Sequence, residues 1–273
     1  MRTALITLGR SCSGLGLCLA LACSGSVFAE ERATVPPADV AAAVAAPAEP
    51  LFGVSRWGIG ASWYRYAESL MQIAGPALGL RADRPYQAFE RSWMLEGEVW
   101  LGRSDYSSSV SGNIDGVFRI GSAFFLHPAD RPAAAWIPRP EAGLTTEWTD
   151  LRGLSTSGMA GYERFNLSLW LGGSWEISPV EQTNAIQLRA ALLLTGWQRS
   201  LLAQAGSQYP NVTNTQRRGL LVSLEQPWML GETRASLRLQ LRGVERSNFV
   251  SAGTSTVYEP ANRSAELSVT FWQ

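Results

Sequence analysis

The chain has no lysine. All 23 of its basic residues are arginine, and 23 carboxylates balance them to a formal net charge of zero. Without a cationic excess or a basic block, it is not built to coat nucleic acid. It has 3 cysteines, Cys12, Cys18 and Cys23, all near the start. The chain beyond them carries no thiol chemistry and no disulfide. A single histidine, His127, excludes an imidazole cluster for a metal. Apolar runs of the ~20 residues that a membrane helix needs are missing. What the chain does have is 26 Gly and 11 Trp in 273 residues, too much large apolar surface for a disordered polymer.

The first segment reads as an address. Arg2 and Arg10 precede the short apolar run Leu15–Cys23, and Val27-Phe28-Ala29 offers small residues before a cut at Glu30. That is the pattern of a secretory signal over residues 1–29. Ala20-Leu21-Ala22-Cys23 is also a loose lipobox, so cleavage after Ala29 and lipidation at Cys23 both stand. Residues 30–53, rich in Ala and Pro, read as a periplasmic lead-in.

From residue 54 to 273 the pattern has a period of two, which places alternate side chains on opposite faces of a strand. In Arg56–Tyr66, Trp57, Ile59, Ala61 and Trp63 share one face and Gly58, Gly60, Ser62 and Tyr64 the other. Trp93–Ser104, Val117–His127, Arg164–Gly172, Ile186–Thr195, Arg234–Val244 and Ser264–Gln273 behave likewise. Phe125 and Leu193 are apolar residues on the polar face, and Thr195 falls on that face too. Pro76–Ala82, Trp136–Leu144 and Gly219–Glu225 are weaker strands, the second because proline cannot donate to a ladder. This predicts an all-β chain, an antiparallel transmembrane β-barrel of about ten strands, with eight as the alternative.

A soluble barrel would turn the apolar face inward and a membrane barrel outward. The polar face decides for the membrane, because it repeatedly carries Arg, Glu and Gly together. Connections also alternate: Asp83–Glu90, Pro128–Ala133 and Gln226–Thr233 are short. Ser104–Gly116, Thr146–Tyr162, Gln198–Arg217 and Glu245–Arg263 are long. Short periplasmic turns and long external loops are the habit of outer-membrane barrels. The expected location is therefore the bacterial outer membrane. Trp57, Trp63, Trp93 and Trp136 would form an interfacial girdle. Asp105, Asp115, Asp150 and Trp148 fall in the long loops.

Several short motifs carry a resemblance. They are Leu70-Met71-Gln72-Ile73-Ala74-Gly75-Pro76 with Gly79-Leu80, and Glu96-Gly97-Glu98 followed by Leu101-Gly102-Arg103 and Asp105-Tyr106. Ser111-Gly112-Asn113-Ile114-Asp115-Gly116 and Gly161-Tyr162-Glu163-Arg164 complete the set. In this order they resemble a functionally unassigned, porin-like family of proteobacterial outer-membrane β-barrel proteins. The resemblance implies a barrel and supplies no activity.

The candidate site is the inward charge: Glu96, Glu98, Arg119, Arg139, Glu141, Arg164, Arg189, Arg238, Arg242 and Glu266, with Arg56, Arg81 and Glu225 beside them. Buried charges need partners, and the planar guanidinium fork suits carboxylates. Two registers of Trp93–Ser104 against Val117–His127 keep both polar faces inward. One sets Glu98 opposite Ala123, the other opposite Gly121 with Arg119 as diagonal neighbour. The second is preferred, since it gives Glu98 a partner and leaves Glu96 to Arg81.

The function expected is that of a non-enzymatic outer-membrane barrel with a charge-filled lumen and an envelope or surface role. A narrow small-solute channel is the alternative, and an outer-membrane hydrolase is disfavoured. His127 falls at the periplasmic end of its strand, read as a turn-terminal polar residue rather than a catalytic base at the external rim. No catalytic, metal or cofactor set is expected. Outer-membrane lipid, lipopolysaccharide and the barrel-assembly machinery are the expected partners.

Overall fold

The computed structural model describes residues 56–129, 137–177, 185–252 and 255–273. The signal and lead-in lie outside the described residues, as do Trp136, part of the Pro128–Ala133 connection and residues 178–184. The strands run in order β1 (Arg56–Ala67), β2 (Met71–Ala88), β3 (Arg91–Ser108), β4 (Gly112–Pro128) and β5 (Arg139–Asp150). β6 (Glu163–Ile177), β7 (Ile186–Ser200), β8 (Val212–Gln216), β9 (Gly219–Leu230) and β10 (Thr233–Val244) follow. The last are β11 (Val250–Ala252), β12 (Ser255–Val257) and β13 (Asn262–Trp272).

β1 to β7 pair with their sequence neighbours, β7 pairs with β9, β9 with β10 and β10 with β13, and β13 returns to β1. Every pairing is antiparallel, so the sheet closes as a barrel of ten strands, and eight is ruled out. β8 extends the outer end of β7, and β11 and β12 form a separate hairpin in the connection from β10 to β13. Closure matters physically. In hydrocarbon no water satisfies an unpaired backbone group, and a closed barrel leaves no unpaired edge.

The alternation falls as the sequence implies. On β10, Leu237, Leu239 and Leu241 are exposed while Arg238 is buried; on β13, Leu267 and Phe271 are exposed while Glu266, Ser268 and Thr270 are buried. Apolar side chains point out and charged ones in, the inverse of a soluble core. The connections place the ends. Two-residue turns join β2 to β3 and β9 to β10, while the longer connections 151–162, 201–218 and 245–261 lie at the opposite end. The turn end is periplasmic by that asymmetry.

Three expectations need correction. Ser104–Gly116 is not a long loop: β3 and β4 continue through it and turn over residues 109–111. Asp105 and Asp115 are therefore strand residues. β2 likewise spans the whole of Met71–Ala88, and the turn to β3 is only Phe89-Glu90, both at positive φ (53° and 60°). These strands, up to 18 residues long, exceed the ~9–11 that cross a bilayer, so their outer ends project past the apolar band. Thr146–Tyr162 is also part strand, because β5 runs to Asp150 and carries Trp148 on its outer face. There Trp148 packs edge-on against Phe118 at 6.0 Å, a girdle aromatic rather than a loop residue.

A β-bulge explains the irregularity near Leu193. Trp170 pairs with Leu193 but Leu169 pairs with Thr195, leaving Leu194 extra on β7. One inserted residue reverses the faces that follow. Leu193 precedes the bulge and points inward with Arg189 and Ala191, whereas Thr195 follows it and lies opposite exposed Leu169 on the outer face, not in the lumen. Phe125 keeps the period and is simply an apolar residue inside.

Candidate functional site

Inside the barrel, large aromatics sit on glycines. Trp100 lies between Gly79 and Gly121 in cross-strand register, and Phe125 lies opposite Gly143. A Cβ on Gly79 would come within 2.7 Å of the Trp100 ring, and one on Gly143 within 2.5 Å of Phe125. The lumenal glycines make room for these rings. Gly121 does not make room for Arg119.

All ten candidate residues face the lumen, and they pair mostly across it rather than along the wall. At the periplasmic end, Arg189 of β7 holds Glu96 of β3 at 2.6 Å and Glu141 of β5 at 2.5 Å, with its guanidinium 4.0 Å over Phe125. Arg139 flanks Glu141 at 3.7 Å. His127 belongs to this centre: it is buried, its Nε2 lies 3.1 Å from Glu96 and its Nδ1 3.2 Å from the Pro128 carbonyl. It is thus more than a turn-terminal residue. Ligand atoms of Glu96, His127 and Glu141 lie within 4.8 Å of one another, a grouping unexpected from sequence because three strands supply it. Arg189 already provides the cation between its carboxylates.

In the middle layer, Glu98 is 5% exposed. Arg238 of β10 lies 2.5 Å from it and Arg81 of β2 3.6 Å. Arg81 also grips Glu225 through two hydrogen bonds of 2.9 and 3.0 Å. This overturns the preferred register. Glu98 pairs with Ala123 and Gly102 with Arg119 along the wall, and Arg81 lies opposite Glu98 rather than opposite Glu96, which faces Asp83. Glu98 needs no help from Arg119, because its partner reaches over the lumen. Arg119 instead stacks on the Tyr64 ring at 3.4 Å and lines one cavity with Glu147 and Glu266. Arg242 meets Glu147 at 3.4 Å, and the Tyr64 hydroxyl donates to Glu147 at 3.0 Å. Glu147 escapes the sequence reading because it fell in a presumed loop.

At the external mouth, Arg164 of β6 holds two carboxylates from connections, Glu68 at 2.8 Å and Glu259 at 3.0 Å. The Tyr66 hydroxyl donates to Glu68 at 2.5 Å. Ser247 pins the Glu259 backbone: the Glu259 amide donates to the Ser247 hydroxyl at 2.8 Å. Burial, with repulsion from Glu68, pushes the Glu259 carboxyl up to about 8 despite Arg164. Burial also disfavours the Glu68 anion. Arg164 and hydrogen bonds from Glu259 and Tyr66 outweigh it and hold Glu68 below its ordinary value.

This mouth should be pH-sensitive. A carboxyl raised on folding stabilises fully below its unfolded value and loses that contribution as pH rises through its folded one. The segment 245–261 should thus be more protected from hydrogen exchange at pH 5.5 than at pH 9, after correction for intrinsic rates. Glu68 has the opposite sign, its contribution fading only as pH falls below the ordinary carboxylate range. Glu259→Gln should flatten the difference; an unchanged profile in that variant would show that Glu259 is not the titrating group.

A closed antiparallel barrel, apolar outside and ionic within, defines an integral β-barrel of the bacterial outer membrane. No protein-family model matches the chain, so the family suggested by its short motifs stands as a resemblance, and no curated protein matches it. Among solved structures, the chain is similar to an outer membrane channel from Pseudomonas putida F1, with TM-score 0.39 and 13% identity over 88% of this chain and 99% of that one. It is also similar to the translocator domain of autotransporter NalP from Neisseria meningitidis, with TM-score 0.38 and 11% identity over 82% and 89%. A third similarity is to the CymD monoaromatic hydrocarbon channel, with TM-score 0.19 and 10% identity over 80% and 88%. Likenesses this distant do not assign the chain to the families of these proteins.

Proposed function

We propose that this chain is a non-enzymatic outer-membrane barrel whose lumen its own side chains close, so that its envelope role is played at its outer surfaces. The barrel-assembly machinery would insert it, and outer-leaflet lipid and lipopolysaccharide would surround it. The observation that carries this reading is the size of two spaces inside the barrel, among the described residues. The cavity between Trp100, Arg81 and Arg238 has a volume of about 10 Å³, and that between Trp100, Arg119 and Arg242 about 20 Å³. A single water needs roughly 10–15 Å³ by the same measure, so neither is a path. Ten strands also fall well short of the 16–18 that leave an aqueous channel.

The ion pairs give the closure its strength. Arg81–Glu225, Arg238–Glu98, Arg189–Glu96 and Arg242–Glu147 each join strands four apart in the ring of ten. Opening a path would break such pairs in several layers at once. His127, with both ring nitrogens engaged and no hydroxyl nucleophile among its hydrogen-bond partners, serves the network in this account. The refolded protein in planar lipid bilayers should show no steady conductance above the bare membrane. A stable open conductance in the unmodified protein would overturn this reading in favour of a narrow small-solute channel.

A further inference from the structure

The outer wall carries a recess that the lumen does not explain. Two rows of outward residues cross four adjacent strands near the external end. The upper row is Leu220, Gly243, Arg263 and Ala67; the lower is Val222, Leu241, Ala265 and Arg65. The small residues leave a groove of about 500 Å³ between the leucines. Gly243 is the telling position. Its φ is not positive, and a Cβ built there meets nothing within 4 Å. Neither backbone strain nor crowding requires glycine, yet its lack of a side chain keeps the groove open.

Arg65 and Arg263 stand diagonally over this groove on neighbouring strands, a placement that puts side chains ~7–8 Å apart. Both are exposed on the lipid-facing wall. Arg65 donates to Gln72 at 3.1 Å, and neither forms an ion pair with a carboxylate among the described residues. Arg103 and Arg199 also face outward without an ion pair among the described residues, but Arg65 and Arg263 stand together over a recess, so an anion shared by these two guanidinium groups would come from outside the chain. The wall below them is apolar: the next row down is Leu224, Leu239, Leu267 and Trp63. Cations at headgroup level over an apolar recess complement an amphiphile with phosphate above and acyl chains below.

We propose that this groove binds a phosphorylated, multiply acylated glycolipid of the outer leaflet, the lipid A portion of lipopolysaccharide. One acyl chain lies along the recess at Gly243 and Ala265, and Arg65 and Arg263 hold phosphate. The proposal rests on the placement of the barrel in the outer membrane with its longer connections outside. It is independent of whether the lumen conducts.

The test uses the full chain refolded in detergent, with folding verified by the slower gel mobility of heat-denatured barrel. Native mass spectrometry then measures retention of diphosphoryl lipid A, of the same lipid with both phosphates removed, and of phosphatidylglycerol. The unmodified protein should retain the diphosphorylated glycolipid about tenfold more tightly than its dephosphorylated form, and prefer it to phosphatidylglycerol. The double substitution Arg65→Gln with Arg263→Gln should erase the phosphate preference. Gly243→Leu should weaken retention of the glycolipid while leaving the barrel folded. Three results would sink the proposal: no phosphate preference in the folded protein, preference intact in the double variant, or Gly243→Leu converting a dimer to a monomer. The last would make a second copy the occupant.

Discussion

Replacing Arg189 by methionine should lower the unfolding free energy of the barrel by about 3–5 kcal/mol, the cost of leaving buried charge without its partner. Arg189 is the one cation placed between Glu96 and Glu141, at 2.6 and 2.5 Å, and its own exposure is only 8%. Methionine fills much of the same volume and still covers the Phe125 ring, so the loss is chiefly electrostatic. Arg139, 3.7 Å from Glu141, compensates one carboxylate in part, whereas Glu96 keeps the His127 contact and the more distant charge of Arg81. Equilibrium unfolding in urea from lipid vesicles measures the difference. Arg152→Met is the contrast: that arginine is 54% exposed in its ion pairs, and such surface pairs are worth about 0–1 kcal/mol. Adding Glu96→Gln and Glu141→Gln to the Arg189 variant should recover most of the loss, because neutral amides leave no isolated charge. Equal costs for Arg189→Met and Arg152→Met would mean that water already screens the lumen and that the barrel is open.

What could be read from the sequence follows the apolar band. Where one face meets lipid and the other the lumen, the period of two is enforced, and β1, β10 and β13 were readable almost to their ends. Beyond the band both faces of a strand meet water and the alternation fades. Ser107, Ser108, Asn113 and Asp115 are polar regardless of face, so the tops of β3 and β4 read as a loop although they are paired. The inward placement of the ten charges was legible for the same reason. Their pairing was not. Local spacing describes neighbours along a wall, whereas Glu98 takes Arg238 from four strands away and Glu96 takes Arg189 likewise. Glu147 could have been found, since Glu141, Gly143, Thr145 and Glu147 continue one face of β5. Glu68 and Glu259 could not, because connections carry no period. The bulge at Leu194 also left no signal beyond an extra leucine.

The outward face can be tested as directly as the lumen. Leu239 is the seventh of the 12 residues of β10, and Leu267 and Leu224 lie opposite it on the two adjoining strands. All three are exposed on the outer wall, far from either rim. Leu239→Arg would carry a guanidinium into the middle of the hydrocarbon, where it cannot reach water without distorting the bilayer. The cost there is ~2–4 kcal/mol and falls to ~0–1 kcal/mol near the interfaces. Leu230 provides the comparison, because it is equally outward but ends β9 beside the periplasmic Gly231-Glu232 turn. Unfolding titrations in lipid vesicles should therefore rank Leu239→Arg well below Leu230→Arg in stability. In a soluble barrel the order would vanish, since both positions would face water and an arginine at either would be harmless. A Leu239→Arg protein as stable as the Leu230→Arg protein would thus remove the membrane from this account.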